Sequence, residues 1–227
     1  MRKLDNTEVK KYILNILCEF AAFCDQNGLR YYLSGGTLLG AVRHKGFIPW
    51  DDDVDLLMPR PDFDKLHDLL RKGNIRPYYK LISLQMGNSF WPFAKIIDTR
   101  TYVKNEYSNV DQHLWIDIFP MDGLPDDKEE SDILLSKAEP LKKWINRCSA
   151  TIGKGKGFVR SIVKIPMILF LRMYTPERFG RKLDKLAHQY DFDKQEYIGG
   201  VAWSLGPNER MKKKEYLPYN DMEFCGK

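Results

Sequence analysis

Apolar residues recur at helical spacing near the start of the chain. Val9, Tyr12, Ile13, Ile16, Leu17, Phe20 and Cys24 keep a 3.6-residue period and predict a helix over 5–26. Asp5 with Glu8 three positions on suits a capping box, and Asn27-Gly28 supplies the left-handed stop. Residues 30–33 then read as a short strand. Ser34-Gly35-Gly36-Thr37 makes a tight turn into a second short helix over 37–45, closed by Gly46. Residues 47–52 form a loop entering a strand at 53–58. Pro59 and Pro61 end that strand, and Phe63, Leu66, Leu69 and Leu70 mark the next helix. Further strands are expected at 80–84, 92–98, 101–104 and 114–119, and helices at 127–150, 158–174 and 177–190. Strands first and helices afterwards predict an α+β domain over 1–125 carrying a mostly helical part over 126–227.

The 227 residues, 43% of them hydrophobic and 30% charged, fit one ordinary globular core and exclude a disordered or collagen-like chain. The longest apolar run, residues 165–171, is too short to span a bilayer. Four cysteines without a C-x-x-C pair point to a reduced, cytoplasmic protein rather than a disulfide or zinc framework. A charged start leading into an amphipathic helix predicts no export signal. The net charge of +5 is uneven. Residues 140–176 hold no acid and eight of the 36 basic residues, which leaves 28 against 31 acids, a net −3, elsewhere. Apolar bulk mixed with cations over 158–170 suits peripheral contact with an anionic membrane, or a core helix with a solvated basic face.

The chemistry concentrates in Trp50-Asp51-Asp52-Asp53-Val54-Asp55. Strand alternation would place Asp53 and Asp55 on one face. Two such charges ~6–7 Å apart repel by roughly 2–3 kcal/mol at an effective dielectric of ~20. A hard divalent cation relieves that repulsion, and Mg²⁺, with Mn²⁺ as the alternative, suits carboxylates plus substrate phosphate. Asp51 is a further candidate ligand or an outer group. Asp117, inside the apolar stretch Trp115-Ile116-Asp117-Ile118-Phe119, is the preferred third carboxylate, with Asp98 the rival. Ser34, Gly35, Gly36 and Thr37 form a turn whose backbone amides suit a phosphate. Arg43, His44 and Lys45 precede the acidic loop, and Lys95 lies in a strand among apolar residues; Arg43, His44 and Lys95 are the phosphate-binding candidates. His44 also suits a plain surface loop.

Residues 34–55 together closely resemble the signature of the LicD family, phosphocholine transferases of bacterial teichoic acids and lipopolysaccharides, related to fukutin-type ribitol-phosphate transferases. The similarity is dense over 30–70 and weaker through Phe93-Ala94-Lys95, residues 115–120 and 215–217. The resemblance implies a nucleotidyltransferase-like mixed sheet, CDP-choline or a similar CDP-alcohol as donor, and a glycan acceptor such as a teichoic acid precursor; the basic segment 140–176 suggests that this acceptor is lipid-linked and met at the inner face of the membrane. Asp53 and Asp55 would hold the metal, with Asp51 opening the Asp-x-Asp-x-Asp pattern and Asp117 a third ligand or the base. Arg-His-Lys would belong to a family-specific insertion. Family members continue past residues 224–226, so the tail is expected to be truncated or short. Choline calls for an aromatic face, and Trp50, Trp91 and Tyr102 are all available. A true nucleotidyltransferase would use the same fold and metal. A non-enzymatic binder of anionic lipid or nucleic acid would use the basic segment but has no need of Asp53-Val54-Asp55, so nucleic acid is not the expected partner.

Overall fold

The computed structural model describes residues 2–103, 113–149, 175–203 and 206–227. Helix α1 (Asn6–Asn27) begins on the expected capping box, with Asp5 and Glu8 exchanging side-chain and backbone bonds, and ends at Gly28, φ 61°. Then follow β1 (Tyr32–Leu33), α2 (Gly35–His44), β2 (Asp55–Pro59), α3 (Arg60–Leu70), β3 (Tyr79–Ile82), β4 (Ala94–Asp98), β5 (Leu114–Leu124) and α4 (Lys128–Ser149). Described residues beyond these form α5 (Pro176–Ala187), β6 (Tyr197–Gly199), β7 (Met211–Lys212) and α6 (Lys213–Tyr216).

The main sheet runs β1-β2-β5-β4-β3. β2 and β5 are parallel, and the other neighbours are antiparallel. This mixed sheet with its helices bears out the α+β, nucleotidyltransferase-like class. One face is dry. Leu56, Met58, Ala94, Ile96, Ile116 and Ile118 pack there against Ile16, Phe20, Phe63 and Leu66 of α1 and α3, each fully buried large side chain stabilising by roughly 1.5–3 kcal/mol. The alternate residues Asp55, Lys95, Trp115, Asp117 and Phe119 are only partly covered and define the opposite face.

Several boundaries differ from expectation. Glycines 35 and 36 are the first turn of α2 rather than a separate turn. β2 starts at Asp55, with the first ladder bond running from Asp117 N–H to the Val54 carbonyl. Asp53 therefore lies in the approach to the strand. Residues 101–103 are not a strand, since Thr101 N–H and hydroxyl both turn back onto the Asp98 carbonyl. The helix expected at 158–174 lies outside the described residues.

The region after Asp126 also contributes strands. β5 continues to Leu124, and its end pairs with β6, which pairs with β7. α4 and α5 close over a second apolar cluster with Leu124, Leu135, Ile145, Leu183 and Val201. Of the basic segment 140–176, the described residues 140–149 belong to α4, where Lys142 pairs with Glu139 and Trp144 stacks on Phe179. No helix among the described residues is long and apolar enough to cross a membrane.

Candidate functional site

Parallel pairing of β2 with β5 sets Asp55 directly beside Asp117. Antiparallel pairing on the other side sets Lys95 beside Asp117. Three strands thus present two carboxylates and an ammonium in a row on the less covered face. Trp115 Nε1 donates to Asp117 Oδ2 at 2.7 Å, and Lys95 Nζ lies 3.3 Å from Oδ1 and 4.2 Å from the centre of the Trp115 ring. Asp98, the rival third carboxylate, sits at the far end of β4, fully buried and clasped by Arg100.

The start of α2 meets this row. Ser34 N–H donates to the Asp55 carbonyl, and Ser34 offers α2 no side-chain cap. Thr37 is buried, and its hydroxyl accepts the Asp55 N–H at 2.9 Å, fastening helix start to strand start. Gly35 has φ 50°, a left-handed conformation that other residues seldom take, and it faces the Asp55 carboxylate.

Asp51 reaches the same place by a longer route. The loop after α2 doubles back along the helix, with Gly46 O and Ile48 N against Gly40 and the Asp51 carboxylate against Gly36. A Cβ on Gly40 would lie 2.4 Å from Gly46 O, and one on Gly36 would lie 2.6 Å from Asp51 Oδ2. Glycine permits both approaches. Lys10 of α1 donates to the Ile48 and Pro49 carbonyls and holds the returning loop. Residues near 225 brace its outer end: Cys225 N–H bonds Lys45 O, Phe224 packs on Phe47, and Glu223 pairs with Lys45. The long gap between Gly36 and Asp53 is therefore a retraced helix, which brings Asp51 to the N-terminal end of α2, where a phosphate would also be favoured.

This route leaves Arg43 and His44 behind. Both are exposed in the last turn of α2, about 12 Å along the axis from Gly35 at 1.5 Å per residue. The structure does not place them beside the carboxylates, although they precede them closely in sequence. His44 instead lines an open cleft of about 470 Å³ with Lys10, Lys11, Lys45 and Phe47. Trp50 is 83% exposed and Tyr102 56% exposed, whereas Trp91 is half-buried.

The electrostatics follow from the crowding. Burial pushes the Asp55 carboxyl up to about 7, with Asp117, Asp53 and Asp51 adding to the shift and Lys95 opposing it. Asp53, though more exposed, is pushed up to about 6 by partial desolvation, a hydrogen bond shared with Asp51, and the charges of Asp51, Asp117 and Asp52. Two carboxyl groups share a hydrogen bond only when a proton stands between them, and a cation can take the proton's place. The all-oxygen donor set fits a hard divalent ion such as Mg²⁺. Among the described residues, no three Asp, Glu, His or Cys side chains are already gathered into a ligating arrangement.

Sequence reasoning missed Thr37 as a clamp, Trp115 as the group orienting Asp117, and Lys10 as the loop strut. Trp115 carried a signal in its place two residues before Asp117, on the same strand face. Lys10 carried none.

Residues 28–146 match the family described as LicD/FKTN/FKRP, nucleotidyltransferase domain. Lipopolysaccharide cholinephosphotransferase LicD of Haemophilus influenzae is 30% identical over 220 residues, covering 96% of this chain and 80% of that protein. Ribitol 5-phosphate transferase FKRP of Homo sapiens is 47% identical over 49 residues, which is 22% of this chain and 8% of that one. An uncharacterized Rickettsia prowazekii protein is 34% identical over 76 residues, 30% of this chain and 29% of its own length. The match covers the helix-strand unit that carries Asp51, Asp55 and Asp117 as well as the strands flanking it, and the chain belongs to the LicD family.

Proposed function

We propose that the protein transfers phosphocholine, or a similar phospho-alcohol, from a CDP-alcohol to a hydroxyl of a cell-surface glycan. The observation that carries this reading is that Asp51 and Asp55 face the N-terminal end of α2, with Asp117 beside Asp55 on the sheet and Lys95 alongside. The similarity to a lipopolysaccharide cholinephosphotransferase along nearly the whole chain favours choline. The shorter similarity to a ribitol 5-phosphate transferase keeps ribitol as the second alcohol.

Asp53 and Asp55 would hold the metal, with Asp51 adjoining. The chemistry that a bound Mg²⁺ or Mn²⁺ supplies is neutralisation of charge on the donor diphosphate and on the departing CMP. Lys95 swings from Asp117 toward the donor phosphate, and the Gly35-Gly36 backbone leaves room for it. The acceptor oxygen forms a bond to the phosphorus carrying the alcohol, and the bond from that phosphorus to the CMP oxygen breaks. Asp117, oriented through Oδ2 by Trp115, takes the hydroxyl proton on Oδ1.

The test is CMP release from a panel of CDP-alcohols with and without Mg²⁺, using the wild type and Asp53→Asn. Metal-dependent release that vanishes in the variant, while its melting transition persists, is expected. Undiminished turnover in Asp53→Asn would sink the assignment, and product mass separates phosphocholine transfer from nucleotidyl transfer.

A further inference from the structure

Beside the carboxylate row the same sheet face turns aromatic. Phe93 precedes β4 two residues before Lys95, and Phe119 follows Asp117 by two on β5, so both share the face of Lys95 and Asp117. Trp91 stacks on Phe93 at 5.5 Å, Phe93 meets Phe119 at 5.0 Å, and Phe119 meets Trp203 at 5.5 Å. All four rings are half-buried.

Trp203 reaches this strip from the turn after β6, and two features fix it there. Its Nε1–H donates to the Pro120 carbonyl at 2.7 Å. Its ring lies so close to Gly200 that a Cβ at that position would come within 2.0 Å of it. The indole's polar edge is thereby spent on the strand, leaving a π-face and no hydrogen-bonding group.

We propose that the Trp91–Phe93–Phe119–Trp203 strip is the alcohol-recognition subsite, built for a quaternary ammonium rather than a polyol. This rests on the transferase reading above. A phosphorus held beside Asp55 and Asp117 lies about 6–7 Å along the strand from Phe119, at ~3.3 Å per residue. Four bonds separate phosphorus from nitrogen in phosphocholine, so the trimethylammonium reaches the first ring. Its charge is diffuse and weakly hydrated, and aromatic faces attract it. Ribitol or glycerol would instead need hydrogen-bond partners, and burying its hydroxyls against these rings without them is unfavourable. Of the aromatic candidates read from sequence, the strip includes Trp91 and leaves out exposed Trp50 and Tyr102.

The experiment compares kcat/KM for CDP-choline and CDP-glycerol in the wild type, Phe119→Leu and Trp203→Leu, with thermal melts as a check on folding. The wild type should prefer CDP-choline by tenfold or more, and that ratio should fall about tenfold in each variant, the size expected from losing a cation–π contact. A wild type without the preference, or variants that lose both donors in equal proportion, overturns the subsite while leaving phospho-alcohol transfer standing. If no CDP-alcohol is consumed, transferase activity falls, and calorimetric titration with phosphocholine decides the strip by itself. Saturable binding lost in both variants supports it, and absence of binding overturns it.

Discussion

Asp55 carries a proton at a pH where an ordinary aspartate has long lost it, because burial and its acidic neighbours disfavour the anion. In the metal-free protein the sign is definite. Between about 4 and 7 the folded state binds more protons at Asp55 than the unfolded chain does, so stability falls as pH rises through that window and the loss is complete above it. Asp55→Asn should therefore abolish transfer yet be more stable than the wild type at pH 8, by about 1–2 kcal/mol after discounting for solvent screening. Calorimetry from pH 4 to 8 checks this, and an equally pH-sensitive variant contradicts it. A Mg²⁺ bound at Asp55 would compete with the same proton, so its stabilising effect should be greater at pH 8 than at pH 5.5.

The carboxylates were legible in sequence because they contradict their surroundings. Asp53-Val54-Asp55 runs into an apolar strand, and Asp117 interrupts another. Neither local pattern revealed where Thr37 points, since a buried threonine and an exposed one look alike. Arg43 and His44 misled for the opposite reason. Short separation along the chain suggested proximity, and a helix stood between.

At the scale of elements, the unit that matters is α2 with the loop folded back on it. Its geometry depends on two glycines whose missing side chains another segment fills. Gly36→Ala should displace the Asp51 carboxylate, lower activity at least tenfold and leave the melting temperature within a few degrees, because only an exposed loop has to shift. Steady-state kinetics beside a thermal melt tests it, and full activity argues against a role for Asp51. The brace at the other end is apolar. Phe224 is 4% exposed against Phe47 and α1, so Phe224→Ala should cost about 3 kcal/mol and raise proteolytic cleavage within residues 45–50. The pairing of β6 and β7 was invisible beforehand. Strands of two or three residues are too short to establish a period, and their partner is the far end of a longer strand.

Across the whole molecule, a buried ion pair joins the cluster beneath α1 and α3 to the one beneath α4 and α5. Arg60, at the start of α3, donates through Nε to Asp122 of β5 at 2.7 Å, and Asp122 also accepts the Val201 N–H. The Asp122 side chain is fully buried and Arg60 nearly so. Arg60→Met should destabilise by about 3–5 kcal/mol, because it leaves a carboxylate buried without its partner. Double replacement with Asp122→Leu should recover part of that loss in chemical denaturation. In the sequence Arg60 stands between two prolines, with nothing local to suggest burial. Only the tertiary fold gives it a partner 62 positions away. The overall class was readable because the strand and helix periods are strong in the long elements; the junction was not, since charged residues carry no periodic signal.

The brace on the acidic loop also sets an order of events in synthesis. Asp51, Asp53 and Asp55 leave the ribosome early, but Phe224 and Cys225, which hold the outer end of their loop, are made about 170 residues later, and the bond from Tyr32 to Leu217 spans 185 positions. A nascent chain thus exposes its acidic loop long before it can fix it. Closing contacts of that sequence separation is slow, so the acidic loop gains its outer brace late in folding.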